Sequence, residues 1–184
     1  MRHAFLAITA AFLMFHTGCS TAPKTADDRA DLRDSAETSL KKFERKDDGL
    51  ANLLDRSAGY AIFPSVGKGG LIVGGAYGKG VLYEHGQQTG YCDLSQASVG
   101  FQAGGQDYAE LLVFKTTDAL NDFRRGTYDL GLEASAVAIK PGASTQAEFK
   151  KGIAIFTATN AGLMYEASVA GQKFRYSPTP NNMP

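Results

Sequence analysis

From Tyr60 onward the chain sets aromatic and β-branched residues between closely spaced glycines, and this texture limits the fold more than any other feature. Tyr60-Ala-Ile-Phe63 has the composition of a short strand, which Pro64 is expected to end. Gly70 to Tyr83 reads as a strand pair or one long bent strand. Within it, Gly74, Gly75, Gly78 and Gly80 mark places where the backbone bends, bulges or approaches a neighbour closely. Ser98 to Phe114 is a second β region with Gly104-Gly105 as its turn. A helix is expected over Thr116 to Arg125, with Thr116 or Thr117 as N-cap, Leu120 and Phe123 inward, and Gly126 as the stop. Leu130 to Ile139 and Gly152 to Tyr165 read as further strands, joined by the turn Lys140-Pro-Gly-Ala-Ser144.

Ahead of the glycine-rich region, residues 26–56 are helical in pattern. Leu32, Ala36, Leu40 and Phe43 make an apolar stripe along Asp27 to Lys46. The first turns of this helix are acidic (Asp27, Asp28, Asp31, Asp34) and the last basic (Lys41, Lys42, Arg45, Lys46), which suits the helix dipole at both ends. Gly49 offers a stop, and Leu50, Leu53 and Leu54 make a second short helical turn. The expected fold class is therefore α+β: a strongly bent or barrel-like antiparallel sheet with N-terminal amphipathic helices covering it.

Residues 1–18 have the grammar of an export signal: Arg2 and His3, an apolar run from Ala4 to Phe15, then small residues. The run is shorter than the roughly 20 residues that a membrane-spanning helix needs. Thr17-Gly18-Cys19 resembles the lipobox of bacterial lipoproteins, which implies that Cys19 becomes the acylated first residue of the mature protein. Ser20 after it resembles the outer-membrane sorting class. Small polar residues and Pro23 make 19–25 a tether, and 177–184 read as a disordered tail. Removing residues 1–18 takes away one basic residue, Arg2, and no acidic one, so a formally neutral chain becomes one of charge near −1. That balance argues against nucleic acid as a partner. With Cys19 acylated, Cys92 is left without a thiol to pair with.

Gly67-Lys68-Gly69-Gly70 and Gly78-Lys79-Gly80 look superficially like phosphate loops. A P-loop needs Ser or Thr after its Lys and an earlier Gly at fixed spacing, and here both lysines are followed by Gly. The glycines at 74, 75, 78, 80, 104 and 105 are therefore assigned to backbone geometry. Cys92 and His85 are the residues a hydrolase would have to use, but nothing nearby in sequence orients the imidazole, and one His with one Cys gives no metal-site spacing. No catalytic residue, metal or cofactor is expected. The better functional candidate is the basic helix end, Lys41, Lys42, Arg45 and Lys46 around Phe43, diluted by Glu44, Asp47 and Asp48.

The run Ala58-Gly-Tyr-Ala-Ile-Phe-Pro-Ser-Val-Gly-Lys-Gly-Gly-Leu-Ile-Val-Gly-Gly-Ala-Tyr-Gly-Lys-Gly-Val-Leu-Tyr83, followed by Asp93-Leu-Ser-Gln-Ala-Ser-Val-Gly-Phe-Gln-Ala-Gly-Gly105, closely resembles the SYLF domain family. The resemblance covers about residues 57–176. It implies binding of phospholipid headgroups, as eukaryotic members bind phosphoinositides and yeast relatives actin filaments, and it implies no enzyme activity. Where eukaryotic members have a Trp and a Pro, this chain has Tyr91-Cys92-Asp93-Leu94. An amphipathic helix ahead of the core contacts membranes in those relatives, and Asp27 to Lys46 stands at the matching place. The function expected is that of a lipoprotein on the periplasmic side of the outer membrane that binds anionic phospholipids. The alternative is a non-catalytic structural or interaction protein of the cell envelope, with a protein partner the sequence does not identify.

Overall fold

The computed structural model describes residues 21–70, 73–99, 106–131, 135–159 and 169–179. Cys19, Gly104 and Gly105 lie outside the described residues. The chain is α+β, as expected: an eight-stranded, strongly curled half-barrel sheet with a few helices.

Helix α1 (Ala26–Lys46) starts at Thr25, whose side chain accepts a hydrogen bond from the Asp28 N–H at 3.0 Å, and it is followed by α2 (Leu50–Asp55). The strands are β1 (Gly59–Gly70), β2 (Val73–Glu84), β3 (Gln87–Val99), β4 (Gln106–Phe114), β5 (Thr127–Asp129), β6 (Val137–Ala138), β7 (Ile153–Thr159) and β8 (Lys173–Pro178). Helix α3 (Thr117–Arg124), N-capped by Thr116, sits between β4 and β5. Across the sheet the order is β5-β8-β3-β2-β1-β4-β7-β6, antiparallel except for the β6–β7 pair.

Both faces of the central strands are buried, and alternation divides them. Ala61 and Phe63 of β1, and Leu112 and Phe114 of β4, point into the concave interior with Phe123 of α3 and Phe174 of β8. Ile62, Leu111 and Val113 point to the convex face, where Ala36 and Phe43 of α1 cover them. The curl has a visible cause on β2. Its interior positions include Ala76, Gly78, Gly80 and Leu82, and a Cβ on Gly80 would stand 2.7 Å from the Ile62 carbonyl oxygen and from the Phe63 ring. Glycine lets the neighbouring strand's aromatic ring close over the backbone.

Several expected boundaries differ. Pro64 does not end β1; a bulge between Ile62 and Ser65 absorbs the residue that cannot donate to the ladder, and the strand continues to Gly70. Strands β3, over most of its length, and β8 have no counterpart among the expected ones. Among the described residues of the expected strand Leu130 to Ile139, only Val137–Ala138 are in the sheet. The expected tether is also shorter: Thr21 and Pro23 are buried, the Lys79 ammonium donates to the Thr21 carbonyl at 3.5 Å, and Arg29 donates to the Pro23 and Lys24 carbonyls at 3.0 and 3.1 Å. The chain is held against the sheet from Thr21.

Candidate functional site

The basic end of α1 is exposed at Lys41, Lys42, Arg45 and Lys46. Phe43 is not available with them. It is 0 % exposed and lies in the convex-face core with Leu50, Ile62 and Phe156, because the apolar stripe of the helix faces the sheet. The exposed part of the helix end is thus basic, with Phe43 buried beneath it at the wall of the adjoining groove.

Lys42, Arg45 and Lys46 border a groove of about 290 Å³ between α1 and the sheet. Its floor is Ala109 of β4 with Ala158 and Thr159 of β7, and among the described residues no carboxylate lines it. Lys41 stands outside the groove. A second groove of about 810 Å³ shares Ser39 and Lys42 with the first but carries Asp31, Asp34 and Asp107 against Lys42 and Lys79. An anion therefore favours the C-terminal groove. The partial negative charge at the helix C-terminus opposes part of that attraction.

The acidic neighbours are disposed more favourably than the sequence implies. Asp47 is 3 % exposed and turned inward, accepting hydrogen bonds from the N–H groups of Gly49 (3.1 Å), Gly142 (3.3 Å) and Ser144 (2.6 Å). Burial works against its charge, but these backbone donors outweigh it and hold the carboxyl below its ordinary range. Glu44 lines a different groove beside Tyr60 and His85. Asp48 is the acidic residue of the three left exposed beside the cations.

Residues 95–182 match the Ysc84 family model, described as Las17-binding protein actin regulator. The chain is also 28 % identical over 155 residues to Beta cell expansion factor A of Aeromonas veronii, an alignment that takes in 83 % of this chain and 59 % of that protein. Residues 95–182 thus match a SYLF-type (Ysc84) domain. It spans about three fifths of the length of that curated relative. The family match covers the end of β3 and all that follows, so it includes the floor of the basic groove while α1 precedes it.

Ahead of the matched residues, the glycine motifs lie in strands. Gly67-Lys68-Gly69 belongs to β1 and Gly78-Lys79-Gly80 to β2, extended backbone with no loop to cradle phosphate. Lys68 is buried on the interior side, next but one to Val66. A Cβ on Gly78 would stand 2.9 Å from the Ser65 carbonyl oxygen and one on Gly75 3.1 Å from that of Gln96; Gly74 pairs with Gly70 and Ser98. Cys92 faces the interior, where burial raises its thiol well above the usual value, while His85 is exposed in the β2–β3 turn at φ 48°. The structure keeps that pair apart.

Sequence reasoning missed two polar clusters. On the convex face the nearly buried Asp93 receives a hydrogen bond from Arg175 at 2.8 Å and one from the Tyr77 hydroxyl at 3.4 Å. In the interior, Glu110 of β4 meets Gln172 just before β8. The available signal for the second was one acidic residue inside the apolar run Tyr108-Ala-Glu-Leu-Leu-Val-Phe114, at an interior position by parity.

Proposed function

We propose that this chain is a non-enzymatic lipoprotein of the cell envelope whose SYLF domain contacts anionic phospholipid headgroups through the groove at the C-terminal end of α1. The observation that carries this reading is the grouping of Lys42, Arg45 and Lys46 around a groove that no carboxylate of the described residues lines. Each basic group near an anionic surface contributes about 1 kcal/mol, so three give a weak contact. An anchor makes a weak contact sufficient, because the second encounter becomes intramolecular.

Acylation of Cys19 would hold the bilayer within about 7 Å of Thr21, since two residues reach no further. The basic groove lies at the other end of α1, about 25–30 Å away at 1.5 Å per residue. Both contacts together require α1 to lie along the membrane surface, its acidic first turns limiting how closely that end approaches. The place of this arrangement is the periplasmic side of the outer membrane.

Flotation of the mature chain carrying Cys19→Ser with vesicles tests the lipid contact. The domain should float with phosphatidylglycerol or cardiolipin vesicles and stay behind with phosphatidylcholine. A second reading, a protein-binding role in the envelope, is favoured by the family description, which names a protein partner. A domain that ignores every vesicle would leave that reading standing.

A further inference from the structure

The interior of the half-barrel holds a carboxyl that the lipid contact does not use. Glu110 lies on β4 in phase with the interior residues Tyr108, Leu112 and Phe114, and both it and Gln172 are 0 % exposed. The Gln172 side-chain amide donates to Glu110 Oε2 at 3.0 Å and reaches the Tyr108 hydroxyl at 3.4 Å. Strands β4 and β8 are separated in the sheet by β3, β2 and β1, so this bond does not follow the ladder: it crosses the concave side. Gln172 is also tied to the β5 side, since its carbonyl accepts from the Leu130 N–H at 2.8 Å and the Gly171 N–H donates to the Leu130 carbonyl at 3.0 Å.

We propose that Glu110 and Gln172 form a pH-set closure of the half-barrel: the protonated carboxyl and the amide hold the β5–β8 edge across the interior to β4, and ionisation of Glu110 releases that edge.

The geometry favours the neutral acid over the ionised one. Glu110 Oε1 and Gln172 Oε1 are buried without a hydrogen-bond partner among the described residues, which an ionised carboxylate tolerates far less than a neutral carboxyl does. Among the described residues, the groups facing Glu110 bring no countercharge. The residue opposite on β1 is Phe63 and on β7 Thr157, β3 presents Cys92 and Leu94 to the interior, and α3 presents Ala119, Leu120 and Phe123. Tyr108 on its own strand is neutral, its hydroxyl pushed up first by burial and then by Glu110. Lys68 is placed further along β1, two residues past Val66, the partner of Tyr108. Burial accordingly raises Glu110 from 4.5 to about 8, and the Gln172 bond lowers it only in part. A raised carboxyl means closure is strongest below the ordinary carboxyl range and is lost progressively as pH rises to about 8. Opening would uncover the aromatic interior around Phe63, Phe123 and Phe174.

Hydrogen exchange of the mature chain carrying Cys19→Ser, corrected for intrinsic rates, tests this at pH 6 and pH 9. Protection of residues 169–178 should fall at least about tenfold between the two while β1 and β2 keep theirs. Glu110→Gln keeps the shape and cannot ionise, so it should stay protected at both, and Gln172→Met should lose protection already at pH 6. An undiminished pH response in Glu110→Gln would overturn the proposal, as would loss of protection over the whole sheet at once. Should Glu110→Gln not fold, carboxyl carbon NMR of the unsubstituted chain decides: titration of Glu110 near 8 supports the closure, and titration in the ordinary carboxyl range refutes it.

Discussion

Gly80 and Phe63 share one site in the half-barrel: the ring of Phe63 occupies the space a side chain at position 80 would need, with a Cβ there 2.7 Å from its nearest ring carbon. Gly80→Val should therefore lower stability by about 1–3 kcal/mol through overpacking. Gly75→Val should cost less, since its Cβ would meet only the Gln96 carbonyl oxygen at 3.1 Å. Gly67→Ala meets nothing within 4 Å and should be neutral or stabilise by about 0.5 kcal/mol. Thermal melting of the three variants reads the order directly.

Asp47 ties the end of α1 to the loop at Gly142 and Ser144 through charge-assisted hydrogen bonds. Asp47→Ala should cost about 2–3 kcal/mol at neutral pH, because three backbone donors, that of Ser144 buried and those of Gly49 and Gly142 partly so, lose their acceptor. A folded carboxyl held below its ordinary range adds stability that is present above that range and lost as pH falls through the folded value. Denaturant titrations should accordingly show the gap between the two proteins narrowing below about pH 4.

Cys92 is sealed in the interior with its thiol pushed up by burial and by neighbouring Asp93. In the mature chain carrying Cys19→Ser it should react with a disulfide reagent about a hundredfold or more slower than in denaturant, at a rate set by opening. Fast labelling of the folded protein would show an exposed thiol and a misplaced β3.

Mass spectrometry of the mature protein should find acylated Cys19 as its first residue. Since Thr21 is packed against the sheet beside Lys79, a mature N-terminus beyond Thr21 would also remove the contact at that carbonyl.

The helices are legible in the sequence because their stripes, caps and stops are local: Thr25 and Thr116 both cap as their residue types suggest. Strand β3 is not, since Gln87, Gln88 and Thr89 open it with three polar residues and its partner β8 lies about eighty residues further on. Phe43 shows a sharper limit. A helical stripe announces that one face is buried without saying whether sheet or membrane covers it, and here the sheet does. Glu110 reads as an ordinary surface acid until the curl of the sheet brings Gln172 across to it. The groove is visible only once β4 and β7 lie beside α1's basic end, because its floor comes from Ala109, Ala158 and Thr159, all far from that helix end in sequence.

Three cations at the groove, Lys42, Arg45 and Lys46, should hold the domain to an anionic bilayer. Flotation of the mature chain carrying Cys19→Ser with phosphatidylglycerol vesicles should show binding that falls steeply as salt rises from 0.05 to 0.3 M, values chosen to shorten the screening length to below about 10 Å. The triple variant Lys42→Glu, Arg45→Glu, Lys46→Glu should abolish that binding, whereas Lys41→Glu, outside the groove, should weaken it only slightly. Binding that survives the triple reversal at low salt, in a variant whose melting temperature is unchanged, would contradict the assignment of the lipid contact to this groove.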